Sequence, residues 1–176
     1  IRAPQGNKGS SHFLPPPSIA MDLFKDVKWE CEKGIQSKDA KRIAKAIRLA
    51  NEIKSDSNVC LKIVADTCML KDLVSILSLS MERKLLSIID EVTMLMKRLC
   101  SPYENQAELF KHPNLVQLLV DISGGKEYSE LSRCCSLGAL QTIAVTPSTR
   151  NPMLENNHEL LNYIREIIDT DVGKMR

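Results

Sequence analysis

The sequence LVSIL at residues 73–77 returns as LVQLL at residues 115–119, a shift of 42 residues, and this recurrence decides the fold. A second set of positions recurs in the same order after a shift of 45 residues. Its members are Leu86, Ile89, Val92, Leu95, Leu99, Pro102 and Leu109, which return as Leu131, Cys134, Leu137, Leu140, Ala144, Pro147 and Leu154. The longer shift implies an insertion, which the loop Ser123-Gly124-Gly125-Lys126 can hold. A period of this size is typical of stacked helical units.

The composition favours an all-α domain. Of the 176 residues, 43% are hydrophobic and only 4% are aromatic, and alternating β-branched runs are missing. The length is sufficient for one domain with a substantial core. A formal net charge of +2 does not by itself indicate nucleic-acid binding, which usually requires a concentrated basic surface.

Apolar periodicity and capping residues predict a series of helices. The first begins at Ser18 or Asp22 and ends near Gly34, and the second begins at a Ser37 cap and ends near Lys54. The remaining predicted elements are short or medium helices at about 58–66 and 69–79, a long helix at 82–100, helices that begin at Pro102 and Pro113, a long helix at 127–145, a turn at 152–156 and a last helix at 158–169.

The two ends of the chain differ in composition from this helical domain, which we place at residues 19–170. Residues 1–18 are rich in Pro, Gly and Ser and predict a flexible tail, and residues 171–176 form a second tail. The segment Phe13-Leu14-Pro15-Pro16-Pro17 permits three interpretations: a linker or vector-derived remnant, a polyproline II ligand motif, or a segment that folds back onto the domain.

The repeated segments resemble the armadillo repeat. Pro113-Asn114-Leu115-Val116-Gln117-Leu118-Leu119 resembles the second helix of an armadillo unit, and residues 131–144, which end in Gly138-Ala139-Leu140-Gln141-Thr142-Ile143-Ala144, are similar to the third. The resemblance covers about residues 37–170. It implies a short right-handed superhelix of about two and a half to three repeats, with a HEAT-like superhelix as the alternative.

The same resemblance indicates where a partner would bind. In armadillo proteins the third helices line a groove that holds extended peptides, so the polar faces of residues 37–54, 82–100 and 127–145 are the candidate surface. On the first of these helices the candidates form a basic stripe. The candidate residues are Lys38, Lys41, Arg42, Lys45 and Arg48 on the first helix, Glu91, Met94 and Arg98 on the second, and Arg133 and Gln141 on the third. The alternative interpretation is that they are the solvated sides of amphipathic helices.

The sequence predicts no catalytic, cofactor-binding or metal site. The six cysteines show neither C-x-x-C spacing nor an associated histidine pair, so we interpret them as reduced core residues. Gly124-Gly125-Lys126 lacks the other residues of a phosphate-binding loop. Reduced cysteines favour an intracellular location, cytoplasmic or nuclear, and the chain has no apolar run long enough for a membrane helix.

These features lead to a leading functional hypothesis and its alternatives. The leading hypothesis is a non-enzymatic adaptor that binds an extended or helical segment of a protein partner, an acidic one if the basic stripe takes part. Exposed ends of a short repeat array are also compatible with a homodimer. The alternative from another class is a nucleic-acid-binding α-superhelix that uses residues 38–48. An enzyme on a helical scaffold would need a nucleophile with a base, a metal set or a cofactor loop, which we do not find.

Overall fold

The computed structural model describes residues 17–37, 39–52, 57–112, 114–156 and 162, and within them all regular structure is helical. The prediction of an all-α chain is confirmed for this part of the protein. The described residues form nine helices: α1 (Pro17–Ser37), α2 (Ala40–Glu52), α3 (Ser57–Ala65), α4 (Thr67–Glu82), α5 (Leu86–Leu99), α6 (Tyr103–Lys111), α7 (Leu115–Gly124), α8 (Glu130–Ile143) and α9 (Pro147–Asn156).

The helices pack in three series, and the members of each series are three helices apart along the chain. Helix α5 packs against α2 on one side and α8 on the other, α4 packs against α1 and α7, and α6 packs against α3 and α9. Within a unit, α1 packs on α2, α4 on α5 and α7 on α8. The arrangement is compatible with a helical repeat, because helices separated by three positions in the chain are neighbours in space.

Burial follows the sequence repeat closely in the medium helices. Leu73 and Leu77 of α4 are fully buried, as are their counterparts Leu115 and Leu119 of α7. In the long helices, Leu95 and Leu140 match in the same way. One contiguous core contains these side chains and extends from Val27 in α1 to Met153 in α9. These side chains therefore build the same kind of contact in successive units.

Two other repeat positions behave differently: one pair is exposed in both helices, and the other pair is buried in only one of them. Leu86 and Leu131, at the starts of α5 and α8, are 44% and 46% exposed. Ile89 of α5 is buried whereas its counterpart Cys134 of α8 is exposed. The two helices thus keep the same phase at Leu95 and Leu140 and differ where Cys134 replaces Ile89.

The predicted helix at 82–100 is shorter in the structure, because α4 runs on to Glu82 and α5 begins at Leu86. Lys84 adopts a left-handed conformation with a φ of 55°. The backbone N–H of Lys84 donates to Met81 O, and that of Leu85 donates to Ser80 O. These bonds form a Schellman motif, the usual end of an α-helix. Glycine normally occupies this left-handed position. Because a lysine stands there, the sequence did not indicate that α4 ends at this point.

The corner between α1 and α2 also differs from the prediction. Helix α1 continues past Gly34 to Ser37, and the cap of α2 is Asp39 and not Ser37. The carboxylate Oδ1 of Asp39 accepts the N–H groups of Lys41 at 3.0 Å and Arg42 at 3.3 Å. Gly34 is buried, and a Cβ added there would lie 2.8 Å from Ile43 Cγ1. Gly34 therefore permits the close approach of α1 and α2 and does not end α1.

The second half of the chain needs smaller corrections. Helix α8 spans 130–143 and not 127–145, with Ser129 as the cap that accepts the N–H of Ser132 at 3.0 Å. Pro102 is the cap of α6 and not its first residue. Pro147 begins α9, so the turn predicted at 152–156 belongs to a longer helix.

Several predictions fall outside the described residues. They are the tail at residues 1–16, Lys38, Pro113, most of the last helix at 158–169 and the tail at 171–176. Pro17 and Ser18 belong to α1 and not to the predicted tail. In the part of the chain that is described, no helix combines the length and the apolar character needed to cross a bilayer.

Leu95→Ala and Leu140→Ala should each lower the free energy of unfolding by about 2–5 kcal/mol, because both remove a fully buried side chain from the core. The matched controls are Leu86→Ala and Leu131→Ala, which should cost less than about 1 kcal/mol because these leucines are half-exposed. Urea denaturation followed by circular dichroism measures all four. Equal losses at the four sites would contradict the assigned faces of α5 and α8.

Gly34→Ala should destabilise the protein by about 1–3 kcal/mol, because the added methyl group must displace the buried Ile43. Gly138→Ala is the control, since a Cβ there meets only the flexible end of Lys97, at 3.0 Å from its Cε. This second variant should be neutral or more stable by up to about 1 kcal/mol, from the higher helix propensity of alanine. Thermal melts of both variants would reveal the difference. A stabilised Gly34→Ala protein would contradict the close α1–α2 contact.

Candidate functional site

The basic stripe lies along the solvent side of α2. Lys41, Lys45 and Arg48 are exposed, and Arg42 is partly buried against α1. Positions 41, 45 and 48 share one face of a helix because they are separated by four and then three residues. The structure therefore places these three described members of the stripe on one surface.

Arg42 is held by two residues of α1. Its Nε donates to Glu30 Oε2 at 2.7 Å, and its guanidinium lies over the ring of Trp29, 4.5 Å from the ring centroid. Lys45 Nζ lies 3.9 Å from the other oxygen of Glu30. Trp29 is nevertheless 50% exposed. The stripe thus borders an exposed indole whose position is set by a cation–π contact.

A polar junction joins α2 to α5. Asn51 Nδ2 donates to the Glu91 backbone carbonyl at 3.1 Å and to Glu91 Oε2 at 2.7 Å. Arg98 Nη1 donates to Asn51 Oδ1 at 3.1 Å and also to the Asn51 backbone carbonyl. Arg48 Nε lies 3.8 Å from Glu91 Oε1. The junction therefore brings together three predicted site residues, Arg48, Glu91 and Arg98. Each of them makes a contact between α2 and α5.

The remaining candidates are Met94, which lies beside this junction, and Arg133 and Gln141 on α8. Met94 is partly exposed between Glu91 and Arg98 on the outer side of α5, and Gln141 is exposed on α8. Arg133 Nε donates to Ser123 O at 3.5 Å, a long hydrogen bond toward the end of α7. Glu130, Arg133, Cys134 and Leu137 line a shallow depression on α8. We call the solvent-exposed sides of α2, α5 and α8, with Lys45, Met94 and Gln141, the outer face; Arg133 turns away from it toward α7.

Sequence reasoning missed a second polar junction, between α5 and α8. The hydroxyls of Ser129 and Ser132 both donate to Asp90 Oδ1. Ser129 also caps α8, so Asp90 fastens the start of that helix to α5. The serine pair at a helix start was a visible signal, but the partner carboxylate lies 39 residues away in sequence from Ser129.

A groove between α4 and α7 was also missed. It encloses about 680 Å³ and is lined by both apolar and polar side chains. The lining residues are Lys71, Val74, Ser75, Ser78, Leu79, Glu82, His112, Asn114, Gln117 and Leu118. The groove lies on α4 and α7, whereas the candidate residues lie on α2, α5 and α8. Substitutions in the groove can therefore serve as controls for substitutions of the candidate residues.

The cysteines are free thiols, and four of them are buried as predicted, but the prediction of a core position is wrong for Cys68 and Cys134, which are exposed. Burial raises the pKa of Cys31 and of Cys100 to about 12, so both are protonated at neutral pH. Burial also raises the pKa of Cys135, and nearby Lys97 only partly opposes it. Among the described residues, no group of three or more His, Cys, Asp or Glu side chains could hold a metal ion.

Comparison with protein-family models, with curated proteins and with solved structures gave no significant match.

Arg98→Met should lower the free energy of unfolding by about 1–2 kcal/mol, because it keeps the side-chain length but removes charge-assisted hydrogen bonds to the last turn of α2. Lys97→Met is the control, since it removes the same charge from an exposed neighbouring position. It should cost less than about 0.5 kcal/mol. Chemical denaturation distinguishes the two variants. If they are equally stable, Arg98 does not contribute to the α2–α5 contact.

Proposed function

We propose that this chain is a non-enzymatic protein-interaction domain, an armadillo- or HEAT-like right-handed superhelix of about two and a half to three repeats. It binds a segment of a protein partner on the outer face of α2, α5 and α8. The observation that carries the proposal is the side-by-side packing of these three helices in chain order. Such packing provides a surface long enough for an extended or helical segment.

The side chains on this face are suited to protein recognition. Met94 and Leu137 are partly exposed apolar groups on α5 and α8, and the exposed residues Lys45 and Gln141 lie on α2 and α8. A mixture of apolar contacts with polar groups is the usual composition of a protein interface. Methionine adds a flexible side chain that adapts to partner shape.

The charge arrangement favours a protein segment over a nucleic acid. Glu30 pairs with Arg42 and Lys45, and Glu91 lies beside Arg48. Because these carboxylates lie among the cations, the outward positive charge is confined to the short row of exposed cations on α2. Binding to a nucleic-acid duplex generally uses a broader basic surface without interspersed acids.

The proposal is tested by affinity capture from a cell extract with two matched double variants. Met94→Glu with Gln141→Glu changes the proposed face, and Leu79→Glu with Gln117→Glu makes the equivalent change in the α4–α7 groove. We expect partner proteins to be lost with the first variant and retained with the second, because new carboxylates at an apolar contact must be desolvated without a partner.

Circular dichroism and thermal melting of both variants confirm that each remains folded before capture is compared. Loss of partners with the groove variant alone would transfer the binding surface to α4 and α7 and contradict the proposal. Capture that disappears after nuclease treatment would instead indicate the nucleic-acid function.

A further inference from the structure

Positive charge is concentrated on one helix of the described protein. Helix α2 carries four basic residues and one acidic residue, whereas each of the other eight described helices has a net charge between −1 and +1. The overall charge of +2 therefore understates the field near α2. A ligand attracted by this field would be negatively charged.

The basic side chains on α2 have unequal roles. Arg42 is anchored to Glu30 and stacked on Trp29, which makes it part of the α1–α2 contact. Lys41, Lys45 and Arg48 project from one side of the helix into solvent. With a rise of 1.5 Å per residue, positions 41 and 48 are about 10 Å apart along the helix axis. This row is short and straight.

The carboxylates near the row do not cancel its outward charge. Lys45 and Arg48 have 67% and 69% of their side-chain surface exposed, while Glu30 and Glu91 have 15% and 25%. The N–O distances are 3.9 Å for Lys45–Glu30 and 3.8 Å for Arg48–Glu91, too long for strong hydrogen bonds. The acids therefore lie beneath the cations, which keep their outer sides available to a second anionic group.

Trp29 gives this surface an apolar component. The ring is half-exposed, and the stacked guanidinium of Arg42 limits its motion. Tryptophan and arginine are the residues most enriched where binding energy is concentrated in protein interfaces. A ligand that matches this surface needs an apolar side chain next to its negative groups, which a nucleic-acid duplex, with its bases stacked inside, does not provide.

We propose that the surface formed by Trp29, Arg42, Lys41, Lys45 and Arg48 binds an acidic protein segment with an apolar side chain beside its carboxylates. An extended segment rises about 3.3 Å per residue, so carboxylates three residues apart span the row from position 41 to 48. This inference rests on the proposed protein-binding function and names the chemical class of partner at the α2 end of the face.

Trp29 is the only tryptophan of the chain, so its fluorescence reports binding at this surface directly. The probe is a short synthetic peptide of repeated Glu-Glu-Leu, and the control peptide has Gln in place of each Glu. The Glu-containing peptide should shift the emission of Trp29 to shorter wavelength, and its affinity should fall as salt rises. The Gln-containing peptide should leave the emission unchanged.

Two double variants locate the site. Lys41→Gln with Lys45→Gln should weaken peptide binding about threefold to tenfold, the size expected for two exposed ion pairs. Lys71→Gln with Lys126→Gln, which removes the same charge elsewhere on exposed residues, should have no effect. Equal weakening by both variants would overturn the assignment, as would an equal response to the Gln-containing peptide.

A mixed-sequence DNA duplex is the competing probe. If the duplex binds more tightly than the acidic peptide and shifts Trp29 emission in the same way, the surface is a nucleic-acid site and the inference is wrong. If no probe binds, the inference also fails. The proposed function is judged separately, because its test changes Met94 and Gln141 and leaves the lysines of α2 in place.

Discussion

The structure depends on the burial of α5 between α2 and α8, its two neighbours in the series. Its side chains Ile89, Val92 and Leu99 are completely buried, and the helix packs on α2, α4 and α8. A single unit of two or three helices cannot cover its own apolar surface, so each unit requires the next. The buried leucines that recur in the sequence lie together in one contiguous core.

Polar contacts flank α5 on both sides and complement its apolar core. Glu91 and Arg98 bind Asn51 of α2, while Asp90 binds the two serines at the start of α8. Apolar packing alone permits helices to slide, whereas directional hydrogen bonds at defined positions fix their register. Met94 lies between the two junctions. The centre of the proposed binding face is therefore on a helix that polar contacts hold to both α2 and α8.

The apolar repeat was readable from sequence because leucine burial depends on local periodicity. The phase of Leu95 and Leu140 and the existence of most helices followed from it. Helix ends were less predictable, since Lys84 occupies a backbone conformation that normally indicates glycine, and Asp39 caps α2 in place of Ser37. The charged contacts could not be predicted at all. Glu30 and Glu91 approach the basic stripe only after α1 and α5 have packed on α2, and their spacing in sequence carries no signal of this.

The packing of successive groups of helices on one another also determines how the domain opens. Within the described residues, α1 and α2 have a following unit but no preceding one, whereas α5 is enclosed on two sides. Local openings require less free energy where helices have fewer packing neighbours. A ligand held by Trp29 and the lysines of α2 would bind only the closed form of this unit, so its binding energy would be added to the stability of the unit. The acidic segment would thus lower the fraction of molecules in which α1 and α2 have opened away from the other helices.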